Sequence, residues 1–229
     1  MKKPTVSMTE TEMNLGWLYF VIQLLVLPRF VVTINALLGA PMCRAEMNVL
    51  LFALNFLCLA IIFRRFLRDN AKHSFCSPLV CLRTAAIGLV LYFLLLGAVS
   101  LLIVLIYPAY TNMNNDSLKE MVRQHFLLML VGLVFLVPFA EELLFRGLLF
   151  RQLYARSSIL AYIVSAAAFS LPHVIGYLGQ YTPLHLLLSF LHYIPAGLCL
   201  GWAYVKADSI FVPILMHMII NLIGIFAMR

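Results

Sequence analysis

Residues 126–153 read FLLMLVGLVFLVPFAEELLFRGLLFRQL, from Phe126 to Leu153. A transmembrane helix needs roughly 20 predominantly apolar residues, and this run exceeds that. Its middle carries Glu141, Glu142 and Arg146. A charge at the bilayer centre costs on the order of 2.5–3.5 kcal/mol by insertion scales, so these groups need a physical reason to be there. The stretch sets the fold class, a membrane-spanning helix, and marks where chemistry has to be sought.

Helix geometry separates the two acids. Glu142 and Arg146 are four apart with the acid on the N-terminal side, the favourable ion-pair orientation. Glu141 is rotated by roughly 100° from Glu142 and lies five residues from Arg146. Glu142 is therefore the expected partner of Arg146, and Glu141 is left to face another helix. Apolar surroundings make a carboxylate a stronger base than it is in water. Taken alone, the three charges fit a helix-end ion cluster equally well. Pro138 removes one backbone hydrogen bond just upstream and is expected to bend the helix.

The rest of the chain extends the membrane reading. Of its 229 residues 64% are hydrophobic and only 11% charged, with a mean hydropathy of +1.00. Soluble domains are roughly half apolar and a quarter charged. The excess cannot be hidden in one core of this size, so the bilayer is the solvent. Apolar runs at about Leu15–Leu38, Met47–Phe63, Leu79–Tyr107, Phe126–Leu153, Ile159–Tyr177, Leu184–Val205 and Ile210–Met228 give an all-α polytopic bundle of about seven spans, with eight as the upper count. Pro28 and Arg29 interrupt the first, which is expected to be broken or tilted. The run after Lys2 and Lys3 is too long for a signal peptide and reads as a retained helix. The five cysteines are odd in number and form no CxxC, so they read as packing residues.

The net charge of +7 could suggest nucleic acid as a partner. The basic residues instead cluster at span ends, which is the pattern of membrane orientation and excludes that reading. Lys2, Lys3, Arg64, Arg65, Arg68 and Lys72, then Arg151, Arg156 and Lys206, belong on the cytoplasmic side, with the N-terminus inside. The connections around Arg44, around Thr111–Ser117 and around Gly179–Pro183 suit the outside, although Lys119 and Arg123 weaken the contrast.

Two further polar signals lie in spans: Phe169-Ser-Leu-Pro-His173, and His217-Met-Ile-Ile-Asn221. In each, residues four apart share a helix face. A lone buried histidine is more often a packing residue than a catalyst. A His–Asn pair is more telling, because Asn221 could fix the imidazole's orientation. Counted from the nearest cytoplasmic marker, Glu141, His173 and His217 lie roughly 15, 22 and 13 Å deep along their helices. Three helices can therefore bring Glu141, His173, His217 and Asn221 around one wet cavity. His185 and His192 share a face of the sixth span and read as packing or interfacial residues. Gly197 and Gly201 form a GxxxG there, which reads as close helix packing. Arg29 is assigned either to a lipid phosphate or to a cavity carboxylate.

At these residues the chain resembles the CPBP intramembrane proteases, the CAAX proteases and bacteriocin-processing enzymes also called Abi proteins. The motifs of that family, EExxxR, FxxxH and HxxxN or HxxxD, stand here as Glu141-Glu142-Leu-Leu-Phe-Arg146, Phe169-Ser-Leu-Pro-His173 and His217-Met-Ile-Ile-Asn221. The resemblance covers roughly Phe126 to the C-terminus. It divides the chain into N-terminal membrane helices (1–125, about three spans) and a catalytic helical core (126–229). It implies the fold of the type II CAAX prenyl endopeptidase, with an intramembrane cavity open to the cytoplasmic side. It also implies peptide-bond hydrolysis in which Glu141 activates water and His173 positions or polarises it. His217 and Asn221 would stabilise the oxyanion, Glu142 and Arg146 would hold the catalytic groups, and Phe169 would pack beside them. The family is often labelled metalloprotease, and Glu141, His173 and His217 are a conceivable zinc set. No HExxH is present, and the reading leans slightly towards no tightly bound zinc.

The resulting expectation is a multi-pass cell-membrane endopeptidase acting on a membrane-anchored protein or peptide precursor near the cytoplasmic leaflet. Two other classes compete. A non-catalytic bacteriocin immunity or scaffold protein would tolerate loss of the motif side chains. A proton-coupled transporter would also carry intramembrane Glu, His and Arg, but no inverted repeat is visible to support it.

Overall fold

The computed structural model describes residues 4–75 and 77–229, all helix and connecting loops. Lys2, Lys3 and Cys76, which entered the readings of orientation and of cysteine packing, lie outside the described residues. The order is α1 (Glu10–Leu25), α2 (Leu27–Leu37), α3 (Arg44–Ile62), α4 (Arg64–Phe75), α5 (Pro78–Ile106) and α6 (Met113–Gln124). A long helix α7 (Phe126–Arg156) follows, then α8 (Ser158–Ser170), α9 (Pro172–Ile175), α10 (Pro183–Ala207) and α11 (Phe211–Met228).

Among the described residues six helices are long and apolar enough to cross a membrane, and the bent pair α1–α2, taken as one span, brings the count to seven. The pair bends by 49°. The break falls at Val26, just before the position expected from sequence, because Pro28 stands in the first turn of α2. A proline has no N–H to give, and its ring crowds the carbonyl four residues earlier, so the helix yields within the turn upstream, two residues before the proline. No eighth span occurs among the described residues.

The outer surface is lipid-like. Leu94 and Leu105 of α5 are 66% and 70% exposed, in company with dozens of other large apolar side chains. Such continuous exposure is untenable in water. The most buried span is α10, which packs on α8 and α5. Gly197 makes the first of those contacts possible: a Cβ there would stand 2.6 Å from the Ala166 Cα. The GxxxG expectation is met on this face. The main core draws on both halves of the chain, packing Tyr19, Leu59, Phe63 and Phe66 against Leu143, Leu148 and Tyr204.

Each end of the bundle is knitted by its own polar contacts. At one end Asp208, in the left-handed conformation at φ 52°, accepts from Thr5 N–H at 2.7 Å and pairs with His73 at 3.2 Å. Glu12 closes the α1 capping box and accepts from Phe66 N–H of α4 at 2.9 Å. At the other end Tyr177 donates to Ser117 of α6 at 2.8 Å, and His185 donates to the Thr111 carbonyl at 2.9 Å. Arg64, Arg65, Arg68 and Lys72 lie on α4 at the first end. Arg29 is exposed on α2.

Candidate active site

The site begins with an irregularity in α7. Residues Val131–Leu136 and Leu143–Phe150 are wound as π-helix, flanking an α-helical piece, Val137–Glu142. Single π turns inside α-helices often mark functional sites. Here the cause is local. Val137 N–H reaches five residues back to the Gly132 carbonyl, so it does not serve Leu133 as it would in an α-helix. The next donor in the wide register would be Pro138, which has none. The Leu133 carbonyl is thus left without a backbone partner, and Asn221 of α11 supplies one, donating from Nδ2 at 2.7 Å.

This departs from the expectation that Asn221 orients His217. Glu142 does so instead. His217 Nδ1 donates to Glu142 Oε1 at 2.9 Å, and Arg146 Nη1 donates to the same oxygen at 2.8 Å. The Glu142–Arg146 pairing expected from the i,i+4 spacing is present, with both side chains fully buried. Arg146 is fixed from two further helices. Its guanidinium lies 4.4 Å above the Phe169 ring of α8, and Nη2 donates to the Gly197 carbonyl of α10 at 3.4 Å. Phe169 also meets the His217 ring edge-on at 5.5 Å, which places it beside the cluster as expected.

Glu141 faces elsewhere, as its helical phase requires. Its Oε2 is buried without a hydrogen-bond partner. The side chain borders a cavity of about 290 Å³ together with His173, His192, Tyr193, His217 and Asn221. It also borders a smaller cavity of about 170 Å³, whose polar lining includes Gln23 and Asn55. The four residues proposed from sequence as catalytic therefore do meet around one cavity.

His173 follows the break at Pro172, where α8 gives way to α9. Its Nδ1 donates to the Phe169 carbonyl at 3.0 Å. A carbonyl can only accept, so the Nδ1 proton is fixed and a neutral ring keeps its lone pair at Nε2. Tyr193 stacks on this ring at 4.0 Å. Its hydroxyl donates to Asn112 Oδ1 at 3.1 Å and accepts from Asn114 Nδ2 at 3.2 Å. Sequence reasoning missed Tyr193 and the two asparagines, whose contacts cross about 80 residues of chain and leave no periodic trace. His192, read from sequence as a packing residue, borders the cavity with a buried, unpartnered Nδ1. His185 does make a structural contact, through Thr111.

The donor chemistry of Glu141, His173 and His217 suits zinc. The geometry does not gather it: among the described residues no three His, Cys, Asp or Glu side chains converge closely enough to hold a metal ion. The metal-binding role considered for these three residues does not fit their arrangement.

Fold and site together define a polytopic membrane protein with a carboxylate–imidazole cluster midway along its central span. Residues 123–223 match the family model described as type II CAAX prenyl endopeptidase Rce1-like. That stretch contains all three motifs, and the match supports a domain similar to the CPBP/CAAX proteases, set within a bundle of membrane helices. No curated protein and no solved structure matches the chain.

Proposed function

We propose that the protein is an intramembrane endopeptidase in which Glu141 activates the hydrolytic water. The observation that carries this reading is the half-buried Glu141 side chain, whose Oε2 is buried and unpartnered and which borders a cavity shared with His173 and His217. A general base must lie within hydrogen-bond reach of the water it deprotonates. Glu141 offers an open oxygen at the cavity, whereas Glu142 holds Arg146 and His217 through Oε1 and, although its Oε2 is also unpartnered, does not border that cavity.

In the proposed reaction Glu141 takes a proton from water, and the water oxygen adds to the scissile carbonyl carbon. His173 accepts from the same water through Nε2, its other nitrogen being held by Phe169. The carbonyl oxygen becomes an oxyanion, stabilised by the remaining amide hydrogen of Asn221 and by His217. For His217 to donate from Nε2 the ring must be imidazolium, and Glu142 at Nδ1 supplies the counter-charge. The C–N bond then breaks, and the proton carried by Glu141 passes to the leaving amine. The products are a carboxylic acid, which keeps the water's second proton until it ionises, and an amine. Loss of one oxyanion donor typically costs roughly 2.7–4 kcal/mol in such sites.

The substrate is a peptide or a membrane-anchored protein. Comparing the membrane peptidome and the small secreted peptides of cells carrying wild-type protein or Glu141→Gln tests the reading. Cleavage products that vanish in the variant are the expected result. Identical peptidomes, with both proteins present at equal levels, would overturn it.

A further inference from the structure

An apolar hollow of about 360 Å³ lies apart from the carboxylate–imidazole cluster. Its walls are Ala71 and Phe75 of α4, Pro78 and Leu82 of α5, and Phe211 and Leu215 of α11. None of its lining residues borders the cavity at Glu141. Ser74 and Ser209 also reach it, but their hydroxyls are spent on protein partners. Ser74 donates to the Asn70 carbonyl at 2.8 Å. Ser209 bonds to Ser74 and accepts from Phe211 N–H at 3.2 Å. An ordered buried water needs roughly two to four polar partners, which these walls do not supply. A hydrocarbon chain suits them, because it buries apolar surface and asks for no hydrogen bond. Pro78 to Leu82, and Phe211 to Leu215, each cover about 6 Å of helix. The hollow therefore starts at the ends of α5 and α11 and reaches about one turn into the apolar layer.

The helix that walls the hollow also brings charge to it. Arg64, Arg68, Ala71 and Phe75 recur at spacings of four, three and four, so they fall within about 60° of one another around α4. The stripe that forms one wall thus continues into two exposed arginines. Asp69, the one acid of α4, is shared between Arg65 at 3.9 Å and Arg68 at 3.5 Å. Asp208 is taken by Thr5 and His73. Ion pairs as exposed as those of Asp69 are weak, so the stripe keeps its attraction for an outside anion. α5 begins at Pro78 and turns the positive end of its dipole to the same place.

We infer that the hollow is a binding site for one anionic phospholipid, with an acyl chain seated between α4, α5 and α11 and the phosphate held by Arg64 and Arg68. The site holds whether or not Glu141 is the catalytic base. Phe211 and Leu215 belong to the helix that carries His217 and Asn221, so a chain seated against them braces one wall of the cavity as well.

Native mass spectrometry of the full chain, released from micelles holding equal amounts of phosphatidylglycerol and phosphatidylcholine, reads the site without reference to catalysis. A basic side chain beside an anionic lipid adds roughly fivefold in affinity, so two arginines predict a preference of roughly 25-fold for one retained phosphatidylglycerol. Arg64→Gln/Arg68→Gln is expected to abolish that preference. Leu82→Trp fills the hollow from a side chain that is 63% exposed, and should lose the retained lipid while both arginines stay in place. Equal retention of the two lipids by wild type, or a preference that survives the double arginine variant, would overturn the proposal. A preference undiminished in Leu82→Trp would reduce the effect to surface charge and sink the groove. Melting curves in detergent without added lipid should coincide for wild type and both variants, and phosphatidylglycerol should then raise the midpoint of wild type alone. Inorganic phosphate that raises it as much as the phospholipid does would show that no acyl chain is needed, and the proposal would fall. Each variant decides by itself, so loss of one to misfolding leaves the other as the test.

Discussion

Adjacent glutamates in α7 differ in what they hold. Glu142 receives a guanidinium and an imidazole on Oε1, its Oε2 being unpartnered, whereas no hydrogen bond or ion pair ties Glu141 Oε2, which stands at the cavity. Neutralising each is therefore expected to do different damage. Glu141→Gln removes no hydrogen bond at that oxygen and should leave thermal stability in detergent close to wild type. Its cleavage rate should fall by at least ~10²-fold, the scale of effect for general acid–base groups. Glu142→Gln leaves Arg146 buried without its counter-charge, and removing one member of a buried pair costs roughly 3–5 kcal/mol. That variant should melt much earlier or fail to accumulate. Purified protein compared by melting curve and by product formation checks both. Equal melting of the two variants would remove the distinction on which the catalytic assignment rests.

At the scale of elements, two helix contacts make separate predictions. A methyl group at Gly197 would meet the Ala166 backbone at 2.6 Å, whereas one at Gly88 would meet the terminal methyl of Met216 at 2.5 Å. A backbone cannot step aside without moving a helix, but the far end of a flexible side chain can. Gly197→Ala is expected to cost about 1–3 kcal/mol, the usual range for overpacking, and to loosen Arg146, which donates to the Gly197 carbonyl. Gly88→Ala should be nearly silent. Melting temperatures of the two variants, measured side by side, decide the matter. The second contact is the link from α11 to the Leu133 carbonyl. Asn221→Ala leaves that carbonyl unpaired, at a cost of about 1–3 kcal/mol. Pro138→Ala restores the missing N–H, so Asn221→Ala should cost less in that background. Additive losses in the double-mutant cycle would show that the proline and the asparagine are not coupled.

The motifs lie in residues 123–223, but the whole molecule does not divide there. Leu59, Phe63 and Phe66 complete the core around Leu143 and Leu148, and Tyr92 and Phe93 of α5 line the cavity. Residues 126–229 expressed alone are expected to be cleared from the membrane. Co-expression of residues 1–125 should restore them, with the level of each fragment read by immunoblot of membranes. A stable, active C-terminal fragment would show that the first half is dispensable.

What the sequence determined by itself was whatever rests on local periodicity. The bilayer as solvent, the set of spans, the break near Pro28, the Glu142–Arg146 pair and the isolation of Glu141 all follow from hydropathy and from residues three to five apart. Those relations are fixed by the helix alone. Tertiary structure decided which partner each polar group took and which side chains meet around each cavity. Asn221 meets Leu133 across 88 residues, and His217 meets Glu142 across 75. Both depend on how α11 is rotated against α7, and α7 is itself rephased by its π turns. Hydropathy weighs how apolar a span is, and it contains no term for the packing angles that aim its few polar groups.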